Sequence, residues 1–174
     1  MRNSALMLTS IAIAITLGIS SCGKSDDAKK SAPTVASGLP DSFLLKTAPA
    51  DAKPVAEVRA KAKTGDQVVV TGLVGGSAEP FTSGAAAVTL VDASVKACTE
   101  DHCPTPWDYC CEPVENLRKN MVTVEFRDKG TLLKTSARGF HGLDHSKTVV
   151  IVGEAKRDEA DNVIVHATGV FVKP

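Results

Sequence analysis

The chain has 174 residues, of which 43% are hydrophobic and 23% charged, and its formal net charge at pH 7 is zero. That length allows one modest domain with additional segments. Residues 65–174 carry 11 Lys and Arg against 15 Asp and Glu, a net charge of −4, whereas the first 64 carry 9 against 5, a net charge of +4. Because a nucleic-acid-binding domain normally has a basic patch, the acidic balance of the larger part makes DNA or RNA an unlikely partner.

The N-terminus has the pattern of an export signal. Arg2 precedes an uncharged, mostly apolar run at residues 5–19, and small residues then lead to Cys22. A run of about 15 residues is shorter than the roughly 20 that a membrane-spanning helix needs, which disfavours an uncleaved anchor. It suits the hydrophobic region of a secretory signal. An ordinary export signal followed by an incidental cysteine is the plainer alternative.

The residues Ile19-Ser20-Ser21-Cys22 resemble the lipobox of bacterial lipoproteins, although leucine is commoner at the first of these positions. The resemblance implies that residues 1–21 are a signal peptide and that Cys22 is lipidated and becomes the mature N-terminus. It also implies a cell-envelope protein that is anchored to a membrane by its lipid. The domain would then face the periplasm or the cell exterior.

The segment after the signal is predicted to be a flexible tether, residues 22–53. Residues 23–40 contain almost no large apolar side chains, so burial there cannot offset the entropy of ordering. Residues 54–64 are rich in good helix formers, and Val55 and Val58 give them a thin apolar stripe. They predict a short helix that leans on the following domain.

Residues 65–174 are predicted to form an all-β domain. Five segments are rich in β-branched residues, with period-two alternation or glycine punctuation: residues 66–76, 86–92, 121–127, 148–155 and 162–172. The charged stretch 157–161 predicts a hairpin turn between the last two. Five strands with one small core indicate a closed or nearly closed antiparallel barrel.

The sequences GDQVVVTG at 65–72, VVIVG at 149–153 and VIVHATGV at 163–170 resemble strands of OB-fold domains. The resemblance implies a small five-stranded OB-like barrel with a cysteine-rich insertion between strands two and three. That insertion resembles loops of uncharacterised OB-fold envelope lipoproteins. Neither likeness implies an activity, because OB folds bind many kinds of ligand. Glycines within residues 131–146 argue against the helix that usually joins strands three and four.

The insertion, residues 98–113 (the cysteine loop), holds the chain's only Trp and only Tyr, Trp107 and Tyr109, and a cluster of Cys98, Cys103, Cys110 and Cys111. Outside the cytosol such a set most often forms disulfides. A bridge between the adjacent pair would strain the backbone, so Cys98 and Cys103 are each expected to pair with one of the other two. The braced loop would present Trp107 and Tyr109 to another envelope protein or a small ligand.

A metal site is the alternative for the cysteine loop. Cys98, His102, Cys103 and Cys110 offer thiolate and imidazole donors suited to Zn or Cu. The four-residue interval between the first two cysteines is at the loose end for zinc. Cys110 and Cys111 need a turn to reach the same ion, so only one of them is expected to bind. Redox catalysis is disfavoured because the loop lacks the Cys-x-x-Cys spacing.

Three histidines outside the loop are weaker candidates. His141 and His145 are expected to be solvated surface residues, and they could join a site with the cysteine loop only if the two loops meet at one end of the barrel. His166 is predicted to make a structural hydrogen bond within a strand. No nucleophile elbow, phosphate-binding loop or zinc-protease motif is present. The sequence therefore favours a non-enzymatic binding or assembly module without a cofactor, and a metal-binding or metal-delivery lipoprotein is the alternative.

Overall fold

A computed structural model describes residues 38–98 and 103–174. Within them the chain forms seven strands, two short α-helices and three 3-10 turns. The strands and α-helices are β1 (Lys53–Pro54), α1 (Val55–Lys61), β2 (Gln67–Val74), β3 (Ala87–Val91), α2 (Val114–Lys119), β4 (Met121–Asp128), β5 (Thr131–Leu132), β6 (Thr148–Arg157) and β7 (Val163–Val172). The five strands predicted from the sequence and the predicted helix are all present.

The five long strands close into a barrel in the order β2-β3-β4-β7-β6-β2. Four of the five pairings are antiparallel, and β4 pairs with β7 in parallel. The prediction of an all-β barrel is confirmed, but the prediction that it is wholly antiparallel is wrong. The chain turns back after β6, so β7 runs antiparallel to β6. On its other side β7 lies beside β4, which runs in the same direction. The short strands β1 and β5 add to β2 and β4 at the margins.

The barrel interior is filled by alternate residues of its strands, as the period-two pattern requires. The largest fully buried side chains include Phe126, Leu90 and Ile151 on the strands, and Leu143 from the segment between β5 and β6. Burying a side chain of this size stabilises a fold by about 1.5–3 kcal/mol. The segment between β5 and β6 contains a 3-10 turn, Phe140–Gly142, where the glycines argued against an α-helix.

The predicted tether is too long at its C-terminal end. Leu39 and Phe43 are buried in the barrel core, and the Phe43 ring meets Phe126 edge-on with centroids 5.2 Å apart. The backbone N–H of Leu45 donates to the carbonyl of Val170 at 2.9 Å. Leu39 and Phe43 cover core surface, so ordering this part of the chain is favourable. Residues 1–37, with the predicted signal peptide and Cys22, lie outside the described residues.

Helix α1 closes one side of the barrel through Val55 and Val58, both buried as the predicted apolar stripe requires. Its N-terminal end is held by Asp92 at the end of β3, whose carboxylate accepts a 2.7 Å hydrogen bond from the backbone N–H of Ala56. A neighbouring strand therefore supplies the cap that the helix's own sequence lacks. None of the helices in the described ranges is long and apolar enough to cross a membrane.

Candidate metal centre

The cysteine loop is anchored to the barrel by Tyr109, which is only 3% exposed. Its ring packs with Val91 and Val95, and Leu117 and Met121 flank this small apolar cluster. The prediction that the loop presents Tyr109 to a partner is therefore wrong. The ring instead fills the space between the end of β3, helix α2 and the start of β4, where its burial stabilises the loop.

A tight turn after Tyr109 brings both adjacent cysteines to one side. Tyr109 adopts a left-handed backbone conformation with φ of 57°, and its carbonyl accepts a 2.9 Å hydrogen bond from the N–H of Glu112. Cys110 and Cys111 occupy the two corners of this turn, and their sulfurs lie 4.0 Å apart. The expectation that only one of them binds an ion assumed an extended strand. The turn brings both sulfurs close to Cys98, but of the two only Cys110 belongs to the group of ligand atoms that all lie within 4.8 Å of one another.

The sulfurs of the cluster converge on Cys98. Its Sγ lies 2.9 Å from that of Cys111 and 3.5 Å from that of Cys110. The sulfurs of Cys98, Cys103 and Cys110 and a carboxylate oxygen of Asp108 all lie within 4.8 Å of one another. The sulfur separations of 2.9, 3.5 and 4.0 Å exceed the roughly 2.05 Å of a disulfide. Disulfide pairing therefore stays a prediction, and His102 lies outside the described residues.

Asp108 orients the loop around the cluster. One of its carboxylate oxygens accepts a 2.8 Å hydrogen bond from the N–H of Cys110, and the other accepts one of 2.8 Å from the Thr105 hydroxyl. These two bonds lower the pKa of Asp108. Both oxygens of the carboxylate are thus engaged in fixing the turn that carries the two outer cysteines.

The hydrogen bonds of the cluster distinguish one sulfur from the others. The pKa of Cys98 is lowered, first by the hydrogen bond between its sulfur and that of Cys111 and then by the hydrogen bond that the backbone N–H of Cys111 donates to it. The pKa of Cys110 is raised, because its thiol donates to Cys98 and to the carboxylate of Asp108. Burial raises the pKa of Tyr109, and the nearby charge of Cys98 adds to this effect. The arrangement thus stabilises a thiolate at Cys98, surrounded by thiol donors.

Trp107 docks the cysteine loop against the end of the barrel. Its indole N–H donates to the carbonyl of Ala78 at 3.1 Å, and its own carbonyl accepts a 2.8 Å hydrogen bond from Gly76. A Cβ on Gly75 would stand 2.6 Å from the carbonyl oxygen of Trp107, so only glycine fits there. Sequence reasoning missed this role of the glycine pair, although glycines at a strand end can indicate a close backbone approach.

The cysteine loop and the loop that carries His141 and His145 do meet, and the contact is made by His145. The ring of Trp107 stacks on that of His145, with centroids 4.3 Å apart, and Phe81 packs against the same imidazole at 5.6 Å. The His145 side chain is only 15% exposed, so the expectation that it is solvated is wrong. His141 instead bonds to Asp41 at 2.8 Å. Neither histidine belongs to the ligand group found among the described residues.

His166 does not make the structural hydrogen bond predicted for it. Its Nε2 is buried and has no hydrogen-bond partner within the described part of the chain, and it lies 3.6 Å from a carboxylate oxygen of Glu125. Glu125 pairs instead with Arg127 at 2.6 Å. Burial and the charge of Arg127 lower the pKa of His166.

No protein-family model matches this chain, and no curated protein is significantly similar to it in sequence.

Proposed function

We propose that this chain is a metal-binding protein whose four-cysteine cluster holds a soft or borderline ion, Zn²⁺ or Cu(I). The observation that carries this proposal is the convergence of the sulfurs on Cys98. A tetrahedral zinc ion with bonds of about 2.3 Å needs ligand sulfurs about 3.8 Å apart. The separations of 3.5 Å from Cys98 to Cys110 and 4.0 Å from Cys110 to Cys111 lie on either side of that value, and the 2.9 Å from Cys98 to Cys111 has to lengthen when the ion binds.

An all-sulfur ligand set is favoured over one that includes Asp108. Both carboxylate oxygens of Asp108 already accept hydrogen bonds within the loop, whereas the sulfur of Cys111 is 2.9 Å from Cys98. The N–H of Cys111 also points at the Cys98 sulfur at 3.4 Å, a contact that stabilises metal-bound thiolates. Thiolate-rich sites select zinc and Cu(I) over harder ions. His102 remains a ligand candidate from the sequence alone.

We propose in addition that the barrel is an OB fold. Counting only the five long strands, the third pairs in parallel with the fifth and the first pairs with the fourth, which agrees with the strand resemblance. The centre would then lie on an insertion between the second and third strands. The barrel serves as a rigid base that holds the cysteine loop through Tyr109 and Trp107.

The proposed location is the cell envelope, where lipidated Cys22 would hold the domain on a membrane. The support is the lipobox resemblance of residues 19–22. A metal-binding or metal-delivery role then replaces the partner-binding role that the sequence favoured, because Tyr109 is buried and Trp107 is half-buried. We infer no enzymatic activity for the chain.

Metal loading of the reduced protein tests the proposal. The full chain carrying Cys22→Ser, which removes the fifth thiol, would be reduced under argon, exposed to Zn²⁺ and desalted. We expect one zinc per chain, with the cluster thiols protected from alkylation until a chelator is added. A Cu(I) competition then establishes the preferred ion. Fully reduced, folded protein that retains neither ion would refute the proposal.

Cobalt spectroscopy distinguishes the ligand sets. Tetrahedral Co²⁺ bound by four thiolates gives intense sulfur-to-metal charge-transfer bands, which weaken as thiolates are replaced. We expect Cys111→Ser to weaken these bands and Asp108→Asn, the matched control, to preserve them. The opposite result would make Asp108 the fourth ligand.

A further inference from the structure

We propose that the four-cysteine cluster is a redox-gated metal site, in which a disulfide oxidant converts the metal ligands into two bridges, Cys98–Cys111 and Cys103–Cys110, and so releases the ion. This inference rests on the proposed function and adds the regulation of the same site. It also assigns a single disulfide pairing, which the sequence left open.

The sulfur separations select the pairing. The sulfurs of Cys98 and Cys111 lie 2.9 Å apart, whereas those of Cys98 and Cys110 are 3.5 Å apart. A bridge between the adjacent Cys110 and Cys111, now 4.0 Å apart, would strain the turn. Once Cys98 is bridged to Cys111, the remaining pair is Cys103 and Cys110, whose sulfurs lie within 4.8 Å.

Both bridges can form while the loop stays docked. The contacts that hold the loop belong to Tyr109 and Trp107, buried against Val91 and stacked on His145. None of these contacts involves a cysteine sulfur. The reduced cluster and the cluster with two disulfides therefore share the same docked loop. Only short movements of the cysteine side chains separate them.

Exposure sets the order of the chemical steps. Cys98 is only 8% exposed, whereas Cys110 and Cys111 are exposed, so an external oxidant RSSR meets the outer pair first. The Cys111 thiolate attacks one sulfur of RSSR, forming a mixed disulfide and expelling RS⁻. The Cys98 thiolate then attacks the Cys111 sulfur, which forms the first bridge and expels the second RS⁻.

The electrons lost and gained balance for each bridge. Two cysteine thiolates lose two electrons, and one RSSR gains them to become two RS⁻, which take up protons as the thiols. A second RSSR oxidises Cys110 and Cys103 by the same two steps. The ion keeps its charge and leaves because the thiolate is the metal ligand, and each bridge removes two thiolates from the site.

A titration of the zinc-loaded protein tests the switch. The full Cys22→Ser chain, loaded with Zn²⁺ and free of reductant, would be titrated with oxidised glutathione while a chromogenic chelator reports released zinc. Bridges are mapped by alkylation and peptide mass spectrometry. We expect loss of the zinc with the first bridge, Cys98–Cys111, completion of Cys103–Cys110 with more oxidant, and reloading after dithiothreitol. Emission from the sole tryptophan, Trp107, should stay nearly constant, because the docking contacts persist.

Two variants sharpen the result. Cys111→Ser should slow zinc release by at least about tenfold, because the buried Cys98 loses its closest partner. Cys103→Ser, the matched control, should still form the first bridge. If Cys111→Ser loses zinc binding altogether, the pairing formed by oxidising metal-free, reduced protein decides in its place.

The outcomes separate the two proposals. Reduced protein that does not load metal refutes the proposed function and the switch with it. If the protein loads zinc but still holds it after oxidised glutathione has converted the cluster cysteines to disulfides, the switch alone is refuted. A first bridge between Cys98 and Cys110, or between Cys110 and Cys111, also overturns it.

Discussion

The indole of Trp107 lies parallel to the imidazole of His145, with ring centroids 4.3 Å apart and an angle of 1° between the planes. This stack joins the cysteine loop to the connection between β5 and β6. Because the stack and the Gly76 hydrogen bond fix the position of the loop, the geometry of the proposed metal centre depends on residues outside it.

Removing either ring of the stack should loosen the loop. We expect a coupling of about 0.5–1.5 kcal/mol between Trp107→Ala and His145→Ala, typical of stacked aromatic pairs. Urea unfolding of the two single variants and the double variant measures it. Trp107→Phe, which keeps a ring but loses the bond to Ala78, is the control. A coupling near zero would mean that the stack does not hold the loop.

Acidification should destabilise the domain through His145. Burial, followed by the charge of Arg138, lowers the pKa of His145, and Asp144 and Glu79 oppose this only in part. The unfolded chain therefore binds a proton more readily than the folded one. Stability should fall as the pH drops below the unfolded value of about 6.5 and continue to fall until the folded pKa is passed.

The histidine effect can be measured by unfolding His145→Phe across this pH range. The variant should lose part of the acid-induced decrease in the free energy of unfolding. His166→Gln, measured in parallel, isolates the other histidine whose pKa burial lowers. An unchanged pH profile in His145→Phe would contradict the prediction.

Gly75→Ala should weaken metal binding from outside the loop. The added Cβ would stand 2.6 Å from the carbonyl oxygen of Trp107 and 3.0 Å from the ring of Tyr109, so the loop has to shift. We expect lower zinc affinity together with lower stability. Gly84→Ala is the control, because its left-handed backbone strains an added side chain but nothing lies within 4 Å of it. Equal effects on zinc affinity in both variants would refute the argument.

Asp92→Ala should destabilise helix α1 by about 1–2 kcal/mol, as loss of an N-terminal cap does. Burial raises the pKa of Asp92, but hydrogen bonds from Ala56 and Ser94 outweigh it and lower the pKa overall. The carboxylate's contribution is therefore present above the unfolded value of about 3.9 and is lost as the pH falls through the folded pKa. Chemical unfolding at pH 7 and at lower pH measures both effects, with the exposed Asp128→Asn as control.

Lipidation at Cys22 is tested on protein extracted from membranes. Mass spectrometry should find an acylated N-terminus at residue 22, and Cys22→Ala should lose the lipidated species. Membrane-bound protein that retains Met1 would contradict the lipobox resemblance.

The sequence alone was sufficient to predict the strands and to identify the cysteine cluster. Period-two alternation in segments such as residues 121–127 depends only on which face of a strand is buried, and that local property is written in the order of the residues. The clustering of Cys98, Cys103, Cys110 and Cys111 within fourteen positions likewise predicted a shared site.

Only the tertiary structure decided how those residues meet. Whether Cys110 and Cys111 face one sulfur depends on the left-handed turn at Tyr109, which in turn depends on a pocket formed by Val91 and Val95. Packing of Trp107 on His145 joins loops far apart in the chain, and Leu39 is ordered because the barrel offers it a core. Such contacts depend on which surfaces the closed barrel brings together, and local sequence patterns do not encode that.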